Sequence, residues 1–167
     1  MALNLCELAK ERLRRAGRKI REEHPEAKGL DTGFRVLKLD TSNMRDVFYT
    51  PDKVQQTSLS QWEDNIKEGR KSEDLLVQVM LELGVELSAP IEQTTIAGKE
   101  VFAVGGDYLL ACFDRDVTEE TIEEMAKRQP VHLVIRDASA ASDDVLDNFE
   151  QIIASHSADR AIQSHVL

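Results

Sequence analysis

The chain has 167 residues, 41% apolar and 31% charged, a soluble globular composition long enough for one domain, or a domain with an appendage, without disulfides or metal. Its net charge of −10 is unevenly spread: residues 1–28 hold eight Lys or Arg against five Glu, a net of +3, so the rest carries −13. A body that acidic repels a phosphate backbone, and no apolar run approaches the roughly 20 residues of a membrane helix.

The first residues, MALNLCELAKERLRRAGRKI, lack the apolar block and small-residue cleavage site of a signal peptide, so a cytoplasmic location is expected. Residues 3–24 read as one helix, because Leu5, Ala9, Leu13, Ala16 and Ile20 recur at steps of three and four. Arg12, Arg14, Arg15, Arg18, Lys19 and Arg21 fill the remaining surface, and His24-Pro25 ends the helix. PEAKGLDTG follows as a linker, so residues 1–29 form a basic helical arm and residues 30–167 a separate acidic domain.

Residues 33–39 alternate Phe34, Val36 and Lys38 with Arg35, Leu37 and Leu39, the pattern of a first strand. A long irregular connection over residues 40–58 should be a packed or functional loop. Ser60 and Glu63 have capping-box spacing for a short helix ending before Gly69. A second helix starts at Ser72, carries Glu73 and Asp74 in its positive first turn, and is apolar nearly all round, which predicts a central position.

IEQTTI and EVFAV flank Ala97-Gly98 and predict a β-hairpin, although alanine suits the first position of a tight turn less well than Asn or Asp. YLLACF and VHLVIRD read as buried strands, TEETIEEMAKRQ and SDDVLDNFEQIIASH as helices, and AIQSHV as a terminal strand. Strand, helix, strand, helix, strand is the order of a parallel α/β layer. The fold class is therefore α/β: a mixed, largely parallel sheet with flanking helices and a hairpin, preceded by the arm.

Asp114 and Asp137 end the two most apolar strands, with Asp116, Ser139, Ser142 and Asp143 close behind, and ligands of open α/β sheets sit beyond the carboxyl ends of strands. A magnesium or phosphoryl-acceptor site could be drawn there, but helix capping by Asp116 or Thr118, and by Ser142, accounts better for the same residues. VGGDY lacks the spacing and following helix of a phosphate loop. The four histidines have no metal spacing, and Cys6 and Cys112, with no ligand near them, are expected to be buried. The basic run is a candidate surface for a protein partner or for DNA, through Arg12, Arg14, Arg15, Arg18 and Lys19, although Glu7, Glu11, Glu22 and Glu23 can pair with it.

KERLRRAGRKI, DTGFRVLKLDTSNMRDVFYTP, WEDNIKEGRKSEDLLVQVMLELGV, VFAVGGDYLLACFD and VIRDASAASDDVLDNFEQI follow one another in this order. Together they resemble the C-terminal region of the modification (methyltransferase) subunit of type III restriction-modification systems, over nearly the whole chain. The resemblance implies a DNA adenine-N6 methyltransferase that uses S-adenosylmethionine and works with a helicase-nuclease subunit. The family's catalytic Asp-Pro-Pro-Tyr is absent, since none of the prolines at 25, 51, 90 and 130 precedes another. Its cofactor loop, Phe-x-Gly-x-Gly, is absent too, because Ala-Val-Gly-Gly follows Phe102. No catalytic, cofactor or metal residue is therefore carried over, and the chain alone is expected to be inactive. Its partners would be the methyltransferase domain, a second modification subunit or the helicase-nuclease subunit, with DNA bound through the whole complex.

Overall fold

The computed structural model describes residues 4–45, 65–136, 143–157 and 161–167. The chain divides into two compact units, Met1–Thr41 and Ser42–Leu167.

In the second unit, the short apolar runs form the strands. β1 (Ile91–Ile96), β2 (Lys99–Val104), β3 (Leu109–Cys112), β4 (His132–Ile135) and β5 (Gln163–Val166) lie in one sheet in sequential order. The β1–β2 and β2–β3 pairings are antiparallel, and the β3–β4 and β4–β5 pairings parallel, so the sheet is mixed. β2, β3 and β4 are buried almost throughout because both faces of the sheet are covered, which explains their continuous apolar runs.

Alternation along the strands assigns those faces. Val101, Ala103, Leu110, Cys112, Leu133 and Ile135 face α3 (Glu119–Ala126) and α4 (Asp143–His156), which contribute Ile122, Met125, Phe149 and Ile153. Phe102, Val104, Leu109, Ala111 and Val134 face α2 (Ser72–Glu82) through Leu75, Leu76, Val79 and Met80. α3 and α4 are the two parallel crossovers. With the strand order advancing in one direction, crossovers of the same hand bring both to one face.

The hairpin closes through Ala97 and Gly98, with φ of 46° and 78°, the left-handed pair that a two-residue turn matching strand twist requires. Residues 105–108 turn between β2 and β3, with Gly105 and Gly106 both at positive φ. At the start of α2, the Asp74 carboxylate accepts from the Lys71 backbone N–H at 2.9 Å, and an Asn43 amide donor reaches Asp74 O at 2.9 Å. Met44 pairs with Ile66 in an isolated antiparallel bridge, which ties the start of the unit beside that helix.

α2 is not central. Among the described residues it covers one sheet face through Leu75, Leu76, Val79 and Met80 and leaves Leu81 exposed on its other side. Ser60 and Glu63 lie outside the described residues, as does most of the predicted loop. Ile66, placed by the sequence in the last turn of that short helix, is instead in the bridge with Met44.

The first unit is built on α1 (Leu5–Glu23). The Asn4 side chain caps it by accepting from the Glu7 N–H at 2.9 Å, and the His24 N–H closes it on Ile20 O. Its buried residue is Gly17, against which Thr32 returns: a Cβ added at Gly17 would stand 3.1 Å from the Thr32 Cβ. Residues 33–39 are not a strand of any sheet. Their alternation supplies the preference for one, but a strand needs a partner ladder, and the described residues of this unit contain no second strand.

Candidate partner interface on the N-terminal unit

Successive residues of a helix advance by about 100°, so the charges of α1 fall into two groups. Arg14, Arg18 and Arg21, at i, i+4 and i+7, share one face with Glu11. Arg12, Arg15 and Lys19 lie on another. The five basic residues singled out from the sequence are thus divided, and Arg21, outside that set, joins Arg14 and Arg18.

The first group lines an open groove of about 560 Å3 with Glu11, Gly17, Thr32, Gly33 and Phe34. Two features hold its second wall. The Asp31 carboxylate accepts from the Gly33 N–H at 2.7 Å, a local turn that reverses the chain, and Gly17 lets Thr32 approach the helix. The Arg14 guanidinium carbon then stands 6.0 Å from the Phe34 ring centroid, at the outer limit of a cation–π contact. The i, i+4, i+7 spacing was readable in the sequence. The return of Thr32 and Phe34 was not, since it depends on the path of the linker.

Glu11 accepts from Arg15 Nε at 2.8 Å and lies 3.5 Å from Arg18, so these cations are partly compensated. Arg15 chiefly, then Arg18 and Arg14, holds the Glu11 carboxyl below its usual value, and Lys10 does the same for Glu7. Lys19 meets Glu23 at 3.5 Å. Arg12, Arg14 and Arg21 make no ion pair among the described residues. All of these pairs are on the surface, where solvent screening leaves them little weight in stability.

Beside this charge lies an apolar stripe. Leu5 is 83% exposed, Leu13 53% and Leu39 98%, and among the described residues nine of the twelve exposed large apolar side chains fall in Met1–Thr41, the other three being Leu81, Tyr108 and Val166. Cys6, expected to be buried, is exposed because it sits on this stripe, whereas Cys112 is buried in β3. Burial pushes the Cys112 thiol up to about 11.

The acidic strand ends offer less. The Asp114 carboxylate accepts from the Glu100 N–H at 2.7 Å and so ties the end of β3 to β2, while Asp116 takes a left-handed turn at φ 56°. Thr118 is the N-cap position of α3, its hydroxyl 3.2 Å from that of Thr121. Asp137, Ser139 and Ser142 lie outside the described residues. No group of three metal-ligating side chains occurs among the described residues.

One juxtaposition was not legible in histidine spacing. Parallel pairing of β4 and β5 brings His132 Nδ1 to 3.1 Å from His165 Nε2, with the Tyr108 ring edge-on to His132. Such a contact requires one N–H and one lone pair. His132 stands at the amino end of β4, opposite the strand ends where open α/β sheets place ligands.

Helix α1 and the other described helices are not long and apolar enough to cross a membrane. The sequence matches no protein-family model, and no curated protein matches it either.

Proposed function

We propose that this chain is a non-catalytic assembly module that docks its N-terminal unit on a partner protein, as the resemblance to type III modification subunits implies. The observation that carries the reading is the concentration of exposed apolar side chains in that unit, where nine of the twelve among the described residues are found. Most helical stability in proteins comes from covering an amphipathic face rather than from propensity, and each Leu or Ile of α1 fully buried contributes about 1.5–3 kcal/mol.

Methyl transfer falls to the partner in this reading. The residues present do not fit S-adenosylmethionine in the family's way: Gly105 and Gly106 belong to a turn between two strands, with no helix behind them to receive the cofactor. Coupling to the helicase-nuclease subunit would use the acidic second unit.

The test is a pull-down of the full chain with three separately expressed baits: the methyltransferase domain of a type III modification subunit, its helicase-nuclease subunit, and a differently tagged copy of this chain. Retention by the methyltransferase domain is expected. Retention by none of the three overturns the reading.

A second reading, DNA contact by the arm, is favoured by the convergence of Arg14, Arg18 and Arg21 beside Phe34. It requires salt-sensitive duplex binding that Arg14→Glu with Arg18→Glu abolishes. Duplex affinity already near zero in the unsubstituted chain removes it.

A further inference from the structure

We infer that the groove between α1 and residues 32–34 is a binding site for a nucleoside di- or triphosphate, with Arg14, Arg18 and Arg21 holding the phosphates and Phe34 the base. The inference goes beyond the assembly reading and does not depend on it. It gives the groove a small ligand in place of a DNA duplex.

Three observations lead there. The first is charge. Arg14, Arg18 and Arg21 bring three positive charges to a groove whose one carboxylate is Glu11, a local net of +2, and Glu11 is itself engaged by Arg15 at 2.8 Å. Arg14 and Arg21 make no ion pair among the described residues, and a guanidinium presents a planar fork of donors that matches phosphate oxygens. The second is length. From Arg14 to Arg21 the helix rises about 10 Å, at about 1.5 Å per residue, which spans a short phosphate chain; sites for nucleic-acid strands track at least about four nucleotides. The third is the opposite wall, which Gly17 lets approach the helix through Thr32. There Phe34 is 37% exposed, with the Arg14 guanidinium carbon 6.0 Å from its ring centroid. A planar base lying between the two needs about 7 Å, two contacts of about 3.5 Å, so the exposed Arg14 side chain has to swing by only about 1 Å. The base then stacks on the ring on one side and on the guanidinium on the other.

Other ligands use less of the groove. Its volume of about 560 Å3 falls within the roughly 300–1,000 Å3 of small-molecule sites. The chain's net charge of −10 opposes a long polyanion, whereas a compact one meets the groove's own positive charge at short range, inside a screening length of about 8 Å. A bare phosphate leaves Phe34 without a role. S-adenosylmethionine, with a sulfonium cation and no phosphate, lacks what three guanidiniums recognise.

Calorimetric titration of the full chain with ATP, tripolyphosphate, adenosine and a single-stranded oligothymidylate tests this. ATP is expected to bind at one site with a Kd below about 1 mM, tripolyphosphate at least about threefold more weakly, and adenosine at least about tenfold more weakly. Arg14→Gln with Arg18→Gln weakens ATP at least about tenfold, while Arg12→Gln with Lys19→Gln, the same change of charge on another face of α1, stays within about twofold. Phe34→Leu weakens ATP at least about threefold and leaves tripolyphosphate within about twofold, because only the stacked base is lost. Far-ultraviolet circular dichroism checks that α1 is kept in each variant, glutamine being nearly as good a helix former as arginine. Absence of binding by ATP, equal weakening by the two double variants, or tripolyphosphate as tight as ATP overturns the nucleotide site. Oligothymidylate tighter than ATP overturns it too and gives the groove to a nucleic-acid strand. The assembly reading is decided separately by the pull-down, which none of these outcomes alters.

Discussion

Leu110 and Leu39 are the same residue type in opposite situations, and truncating each separates packing from docking. Leu110 is fully buried in the centre of the sheet, in the cluster that includes Ile122, Met125 and Leu133. Leu110→Ala removes three carbons, about 2–2.5 kcal/mol of transfer free energy at ~0.8 kcal/mol per methylene. Helices α3 and α4 close that face, and the flanking strands cannot collapse into the space, so the cavity adds to the cost and brings it to about 3–4 kcal/mol. For a unit of this size the midpoint of thermal unfolding should fall by roughly 10–15 °C. Leu39 is 98% exposed, so Leu39→Ala should change stability by less than ~0.5 kcal/mol while weakening retention by the partner. Urea unfolding followed by far-ultraviolet circular dichroism reads both, provided the slope with denaturant is the same in all three proteins. A cost below ~1 kcal/mol for Leu110→Ala, or an equal cost for Leu39→Ala, would refute the packing described.

Four other outcomes follow from single residues. Ala97→Asn should stabilise by about 0.5–1 kcal/mol in the same urea assay, because asparagine tolerates the left-handed conformation at φ 46° better than alanine; destabilisation would count against the turn geometry. Asp114→Ala should cost about 0.5–1.5 kcal/mol by removing the bond from the Glu100 N–H, and magnesium titration should give no heat in either protein; a magnesium heat lost in the variant would restore the metal reading of the strand ends. Cys112 titrates at about 11 in the folded protein against 9.0 for the free thiol, so folding favours its protonated form. That contribution is complete below pH 9 and is lost as pH rises through 11, up to roughly 2–3 kcal/mol, and in Cys112→Ala the fall over this window should be reduced by that amount. At pH 8 a thiol reagent should modify Cys6 quickly and Cys112 only at the rate of unfolding.

Much of the second unit was legible because its strands are short apolar runs between turn residues and its helices carry clear periodicity. The hairpin at Ala97-Gly98, the buried runs around Leu110 and Val134, and the two crossover helices all appear where the residues place them. The position of α2 was not legible. Its even apolarity suggested a helix surrounded on all sides, whereas Leu81 shows that local hydrophobicity does not report how many neighbours an element has. The His132–His165 contact, 33 residues apart, follows from parallel strand register, which no local spacing encodes.

The N-terminal unit failed in a more informative way. Sequence pattern makes residues 33–39 a strand, and the same pattern in the chain's own structure forms none. Strand preference is a property of side chains on a pleated, covered surface, so it expresses the environment in which the segment is buried rather than the segment itself. Leu5, Leu13 and Ile20 carry the same message for α1: helix propensity is satisfied locally, and the apolar face is left in water. Natural sequences are locally consistent with their fold, and a conflict concentrated in one unit marks the place to look for a functional surface. Ordinary surface variation would scatter such residues over both units. Among the described residues they concentrate in Met1–Thr41 instead, which gives that unit the composition of an element with one face to be covered.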